Sequence, residues 1–155
     1  MSEHMDATVD APEDLIVPTD SNSVWAERTG TRQYLAHNAR GAEVRVGMGP
    51  GEFSPGELLK VALATCSTLS ADHRLARALG EDARVVVVCA TDKHATEDRY
   101  TDFDVQVLAG FSALSPEQLE TLRLRVEGAI DRGCTVGHTL HSGAATRLHL
   151  LEGDD

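Results

Sequence analysis

Residues 54–80 constrain the fold more than any other part of the chain, because they predict one long helix that is apolar on nearly every face. The segment opens with Ser-Pro-Gly-Glu at 54–57, where the serine can cap, the proline suits the first position and the glutamate can complete a capping box. Gly80 is a typical stop. Between Leu58 and Leu69 the residues are apolar or small on nearly every face except at Lys60. Such a helix must be covered all round, so we expect a second subunit to cover what one small sheet leaves open.

Shorter patterns on both sides predict strands and a second helix. Three alternating runs separated by turn residues predict an antiparallel meander: SVWAER (23–28), RQYLAH (32–37) and AEVRVG (42–47). The β-branched run RVVVVCATDKH (84–94) predicts a buried strand, with RYTDFDVQVLAGF (99–111) as its hairpin partner. A second Ser-Pro start at 115–116 predicts a helix ending at Gly133, and ATRLHLLE (145–152) predicts a last strand. This order predicts an α+β domain with an antiparallel sheet and a long buried central helix.

Length and charge narrow the function classes. The 155 residues suit one domain, and the acidic, aperiodic residues 1–22 predict a flexible tail ahead of a domain at 23–155. No apolar run approaches the roughly 20 residues that cross a bilayer, and the N-terminus lacks the pattern of a signal peptide, so a cytoplasmic protein without membrane contact is expected. A formal charge of −11 argues against nucleic acid. The lack of a Gly-rich phosphate loop argues against a nucleotide, and we expect no cofactor.

Three cysteines in such a chain do not suit a disulfide framework, so each needs its own explanation. Cys66 lies in the middle of the long helix, where a small core residue is the plain alternative to a reactive thiol. Cys134 directly follows the second helix, in what the sequence predicts to be a turn beside polar residues. Packing gains little there, which favours a chemical role. Cys89 is most simply a core residue of its strand, and we assign it no chemistry.

A reactive thiol must be a thiolate, which needs a nearby cation or a helix N-terminus. Cys66 is too deep in its helix for the helix dipole, so a basic side chain must come from elsewhere. The tip of the first hairpin offers Arg28 and Arg32. Attack of a thiolate on a peroxide gives a sulfenic acid, which condenses with a second thiol to a disulfide. Cys134 could supply that thiol if the fold brings the two cysteines together.

The segment SPGELLKVALATCS, followed after a second helix by CTVGHTL, resembles the paired signatures of the OsmC/Ohr superfamily (osmotically inducible protein C and organic hydroperoxide resistance protein). The resemblance extends over roughly residues 23–151 in element order. It implies the OsmC-like fold as an intertwined homodimer, in which sheets wrap a pair of central helices. Two active sites would then form at the subunit interface.

The resemblance also implies a function and roles. The family's activity is a thiol-dependent peroxidase for organic hydroperoxides, with hydrogen peroxide reduced less well, and the reductant is a lipoylated protein or a small thiol. The attacking role falls on Cys66 and the disulfide-forming role on Cys134. Arg32 is our first choice for the arginine that stabilises the thiolate, and Arg28 the second. Composition alone adds a preference: apolar residues around Cys66, such as Leu63 and Leu69, favour a peroxide with an apolar tail.

The chain departs from the family pattern in two places. The organic-hydroperoxide branch has a glutamate directly after the helix-start proline, where this chain has Gly56 and carries the acid one residue later, at Glu57. One helical residue rotates a side chain by about 100°, so Glu57 is either catalytic or only a cap. In the second motif, three residues replace the usual proline and Ser-Asn-like pair, which indicates a more general OsmC-like group: Thr135, Gly137 and His138.

His138 could tune Cys134 electrostatically, because histidine changes charge near neutral pH. A metal site with His141 is a weaker interpretation, because the chain has no Cys-x-x-Cys pair, and we expect no metal. The competing function is a non-enzymatic stress-response or ligand-binding module that holds a small apolar molecule on the same dimeric fold. Loss of thiol on adding a hydroperoxide would distinguish the enzyme from the binding module.

Overall fold

A computed structural model describes residues 23–152, so the acidic tail predicted at 1–22 lies outside the described residues. These residues separate into two compact units. The first contains 23–52 together with 146–152, and the second contains 53–145. Of the helices in the described part of the chain, none is both long and apolar enough to span a membrane.

The first unit is the predicted meander. Strands β1 (Val24–Gly30), β2 (Gln33–Asn38) and β3 (Glu43–Val46) form an antiparallel sheet in the order β1-β2-β3. Gly30 pairs with Gln33, so the first hairpin turns through Thr31 and Arg32. Alternating sequence and turn residues therefore predicted this sheet correctly.

Arg32 has an unusual backbone in this turn. Its φ is 58°, and it is the one non-glycine residue with a positive φ among residues 23–152. A side chain in this left-handed region costs about 1–2 kcal/mol, because the Cβ approaches the following carbonyl oxygen. The turn therefore keeps an arginine where a glycine would fit without strain.

The long helix of the second unit, α1 (Pro55–Leu79), has both predicted ends: a capping box at Ser54 and Glu57, and Gly80 after the last turn. One face is buried within the chain, through five residues at helical spacing: Leu63, Ala64, Ser67, Ala71 and Leu75. The opposite face is open, and Leu69 is 74% exposed. All-round burial is therefore not seen within a single chain, because the chain has only enough packed elements to cover one side.

Strands β4 (Val86–Lys93) and β5 (Tyr100–Leu108) form the predicted antiparallel hairpin. One face, with Val87, Cys89 and Val107, is half-buried, and the hairpin contacts α1. Val86 and Val88 point to the other face and are exposed. The expectation of a fully buried strand, with Cys89 in the core, is wrong because only one side of this hairpin is covered.

The second Ser-Pro motif begins α2 (Pro116–Gly133), again with a capping box, formed by Ser115 and Gln118. A short 3-10 turn at Phe111–Ala113 precedes it. The core of this unit lies between α1 and α2 and consists of Ala71, Leu75, Leu122 and Ala129. Partly buried residues such as Val126 and Ile130 surround it. The apolar spacing of the second helix therefore indicated its buried face correctly.

Two predictions for the C-terminal part are wrong. The segment after α2 is a helix, α3 (Thr135–Ser142), rather than a turn, and it packs against α1. Residues 145–152 are not a strand. Their alternation has no partner strand in the described chain, and three leucines are almost fully exposed: Leu148, Leu150 and Leu151.

Candidate active site

Cys66 lies at the boundary between the two faces of α1. At about 100° per residue, it falls between the buried row that contains Leu63 and Ser67 and the open row that contains Leu69. Its side chain is half-buried, and its carbonyl oxygen accepts a hydrogen bond from Ser70 Oγ at 2.8 Å. The thiol thus borders the face that the chain leaves uncovered.

Cys134 joins α2 to α3, as the C-terminal cap of α2 and the N-terminal cap of α3. Its N–H donates to the carbonyl oxygen of Ile130 at 2.9 Å, and its sulfur accepts a hydrogen bond from the N–H of Gly137 at 3.3 Å. With 1% of its surface exposed, it is the largest fully buried side chain among residues 23–152. The sequence interpretation placed Cys134 in a polar turn, and this is wrong because α3 folds back onto α1 and seals the sulfur.

The fold brings Cys134 to the part of α1 that carries Cys66. Cys134 Sγ lies 3.7 Å from Oγ of Ser67, the next residue after Cys66. A Cβ placed on Gly137 would come within 3.1 Å of this sulfur and 3.8 Å of Leu63 Cδ1. Gly137, one of the departures from the family motif, therefore lets α3 pack closely on α1. Both cysteines are free thiols.

Glu57 completes the capping box. The N–H of Ser54 donates to Glu57 Oε2 at 2.8 Å, and the N–H of Glu57 donates to Ser54 Oγ at 3.2 Å. The capping interpretation of Glu57 is therefore confirmed. A further role as a catalytic acid stays a prediction.

The structure explains why position 56 is a glycine, which the sequence alone did not reveal. A Cβ at this position would collide with the hydroxyl of Tyr100 on β5 and lie 3.2 Å from its Cζ. The same ring has Lys60 Nζ 5.2 Å from its centroid, within cation–π range, and Phe103 in an edge contact. A glutamate at position 56 would displace this ring. The Tyr100 ring can occupy its place because position 56 is a glycine and not the glutamate of the organic-hydroperoxide branch.

The two candidate arginines lie in the first unit, whereas Cys66, Cys134 and Glu57 lie in the second. Arg28 sits on β1 opposite Tyr34, and Arg32 occupies the hairpin turn. The pairing of either arginine with the Cys66 thiolate stays a prediction.

The remaining histidine and cysteine candidates have ordinary surroundings. His138 Nε2 lies 2.7 Å from the carbonyl oxygen of Asp131, so this nitrogen carries the proton and donates it. Burial raises the pKa of the Cys89 thiol; Lys60 lowers it and Asp104 raises it further. Desolvation thus keeps Cys89 protonated. In the part of the chain that the structure describes, no three His, Cys, Asp or Glu side chains are grouped so that they could hold a metal ion.

Comparison of the sequence with known proteins finds relatives in two mycobacteria. No family model matches the chain. Uncharacterised proteins of Mycobacterium tuberculosis and Mycobacterium bovis are 40% identical to it over 131 residues, which is 83% of this chain and 96% of each relative. The similarity therefore extends over nearly the full length of these relatives.

Solved structures share the fold at low sequence identity. An OsmC-like protein of unknown function from Vibrio cholerae has a TM-score of 0.53 at 15% identity, with 76% of this chain and 91% of that one covered. An OsmC-like protein from Mycoplasma pneumoniae has a TM-score of 0.55 at 13% identity, covering 78% and 87%. A Psychrobacter arcticus protein, provisionally described as an osmotic stress induced and detoxification response protein, has a TM-score of 0.58 at 18% identity, covering 83% and 91%. These likenesses show a shared fold.

Proposed function

We propose that the chain is a member of the OsmC/Ohr superfamily, whose fold it shares with solved OsmC-like structures, and that it is a thiol-dependent peroxidase. It would reduce organic hydroperoxides and, less well, hydrogen peroxide. One observation carries the proposal: a buried cysteine from the end of α2 lies against the α1 residue next to a second, accessible cysteine. This contact brings Cys134 to the turn of α1 that carries Cys66, and peroxide reduction needs a second thiol within reach of the first.

The chemistry proceeds in two steps. The Cys66 thiolate attacks one peroxide oxygen, the O–O bond breaks, and the alkoxide leaves and takes up a proton to become the alcohol. Cys66 is then a sulfenic acid. The Cys134 sulfur attacks the sulfenic sulfur, water leaves, and a disulfide joins Cys66 to Cys134. An external thiol reductant, a lipoylated protein or a small thiol, then donates two electrons and two protons and restores both cysteines.

The surroundings of the two sulfurs suit these different roles. Cys66 is half-buried at the edge of the uncovered face, so a peroxide can reach it. Cys134 is sealed from solvent and receives the N–H of Gly137, which stabilises negative charge as the sulfur becomes a nucleophile. A sheltered second thiol reacts with the sulfenic acid of its neighbour rather than with free peroxide. Apolar neighbours such as Leu63 and Leu69 favour a peroxide with an apolar tail.

Arg32 is the residue that we propose to stabilise the Cys66 thiolate, ahead of Arg28. Its left-handed backbone supports this choice, since strained residues persist where a function holds them. Glu57 remains a candidate partner for that arginine, although its carboxylate also caps α1. We further propose a cytoplasmic location, where thiols are kept reduced.

An intertwined homodimer is part of the proposal, because the open face of α1 needs a cover. Leu69 on this face is 74% exposed. Replacing Leu69 by lysine is expected to raise the dimer dissociation constant at least about a hundredfold, because twofold symmetry would bury two ammonium groups in an apolar contact. Sedimentation of Leu69→Lys and of the control Leu124→Lys, an exposed leucine on α2, measures this. A monomeric wild-type protein, or equal effects of both variants, would contradict the proposal.

Thiol titration tests the activity directly. One equivalent of cumene hydroperoxide added to the fully reduced protein is expected to remove two of its three thiols and to leave the Cys89 thiol. Thiol counting with and without denaturant measures the loss. A binding module would retain all three thiols, and such a result would replace the enzyme by the competing function.

A further inference from the structure

A groove of about 1190 Å³ runs between the C-terminal half of α1 and helix α2. Four arginines line it, two from each helix: Arg74, Arg77, Arg125 and Arg132. None of the four forms an ion pair with a carboxylate of residues 23–152, whereas the neighbouring Arg123, which does not line the groove, is paired with Glu120 and Glu127. In a chain of net charge −11, this is a local concentration of unpaired positive charge.

Part of the groove lining is apolar, and we call this part its floor. It consists of Ala78, Leu114, Leu122 and Gly128. Ala78 and Leu114 pack directly on the core of the second unit, so the floor is held in place. Arginines over an apolar floor suit a ligand that has both an anionic group and a hydrocarbon part.

The charges are unevenly distributed along the groove. Arg74 of α1 and Arg132 near the end of α2 lie at one end, and Arg132 lies over Gly128, where a Cβ would be 3.3 Å from its Nη1. Glu81, two residues past the end of α1, and Glu117, in the first turn of α2, lie at the other end, about 10 Å from Arg74 along the helix axis. An anionic group is thus attracted at the first end and repelled at the second.

We propose that this groove binds a linear amphipathic anion, an alkyl chain with one carboxylate or phosphate head. The head lies between Arg74 and Arg132, and the chain runs over Ala78 and Leu122 towards Leu114. The two glutamates disfavour a second anionic group at the far end. The net negative charge of the whole protein disfavours an anionic membrane surface, so the ligand is a free monomer. This site is separate from the thiols and does not depend on the peroxidase activity.

Calorimetric titration of the full-length protein with decanoate tests the site. We expect decanoate and decyl phosphate to bind, and decanedioate, decanol and inorganic phosphate to bind at least about tenfold more weakly. Shortening the chain is expected to weaken binding by at most about fourfold per methylene, the value for complete burial. Comparison of decanoate with decyl phosphate identifies the preferred head group.

The variants Arg74→Gln and Arg132→Gln are each expected to weaken decanoate binding about tenfold, because each removes a charged donor. Arg123→Gln is the matched control, since this arginine lies on α2 outside the groove and should leave binding unchanged. Equal binding of decanol or decanedioate, equal losses in Arg123→Gln, or binding only to phosphatidylglycerol vesicles would overturn the proposal. Because Cys66→Ser leaves the groove intact, decanoate binding by that variant separates this site from the peroxidase.

Discussion

Replacing Cys66 by serine is expected to lower hydroperoxide consumption at least about a hundredfold, because a serine hydroxyl is not ionised at neutral pH and cannot replace the thiolate. Cys134→Ser is expected to keep the first turnover and lose the later ones. In that variant the O–O bond is still cleaved, but no second thiol resolves the sulfenic acid. The two cysteines therefore give different kinetic defects, although both belong to one reaction.

Rapid-mixing kinetics with cumene hydroperoxide, followed by mass spectrometry of the intact protein, distinguishes these outcomes. Cys134→Ser should carry added oxygen on Cys66, whereas the wild-type protein should lose two hydrogens and gain no oxygen. Cys89→Ser is the control, because Cys89 lies on the hairpin and burial raises the pKa of its thiol. Full activity in Cys66→Ser, or a disulfide that includes Cys89, would contradict the mechanism.

Local signals in the sequence predicted most of the secondary structure. Both long helices begin at Ser-Pro motifs with reciprocal capping boxes, and these depend only on residues within one turn. The meander and the β4–β5 hairpin follow from alternation and turn residues in the same way. Such features are encoded over a few residues, so a single sequence is enough to find them.

The errors concern features that depend on distant parts of the chain. Helix α3 contains two threonines, a valine and a glycine, which are poor helix formers, and contact with α1 stabilises it. The same contact buries Cys134, which no local pattern indicated. Residues 145–152 alternate like a strand, but a strand also needs a partner, and the described chain provides none.

The candidate site shows the same division. The sequence singled out both cysteines, and the structure places Cys134, at the junction of α2 and α3, against Ser67 of α1, the residue after Cys66. The sequence could not show that Tyr100 occupies the space beside Gly56, because these residues come into contact only after the hairpin packs on α1. Nor could the sequence show the arginine groove, which is lined by residues from successive turns of α1 and α2. The sequence therefore identifies candidate site residues by their type, whereas the side chains that each of them contacts depend on how the helices and strands pack.

Replacing Arg32 by glutamine is expected to lower the rate of the first turnover about a hundredfold, because the loss of one preorganised charged donor typically has an effect of this size. Arg28→Gln is the matched control and is expected to change the rate less than about threefold, since Arg28 lies on β1 opposite Tyr34 rather than in the turn of the same hairpin. Stopped-flow measurement of Cys66 oxidation in both variants and in the wild-type protein measures the two effects.

Arg32→Gly separates a catalytic role from a structural one. Because φ at this position is 58°, glycine relieves backbone strain, and we expect the free energy of unfolding to stay equal or to rise by up to about 1 kcal/mol. Activity should nevertheless fall as far as in Arg32→Gln. Urea denaturation and the first-turnover rate, measured on the same preparation, give the two values. A variant that keeps its activity would show that the turn, rather than the guanidinium, is what the chain needs there, and a large loss in Arg28→Gln alone would move the role to Arg28.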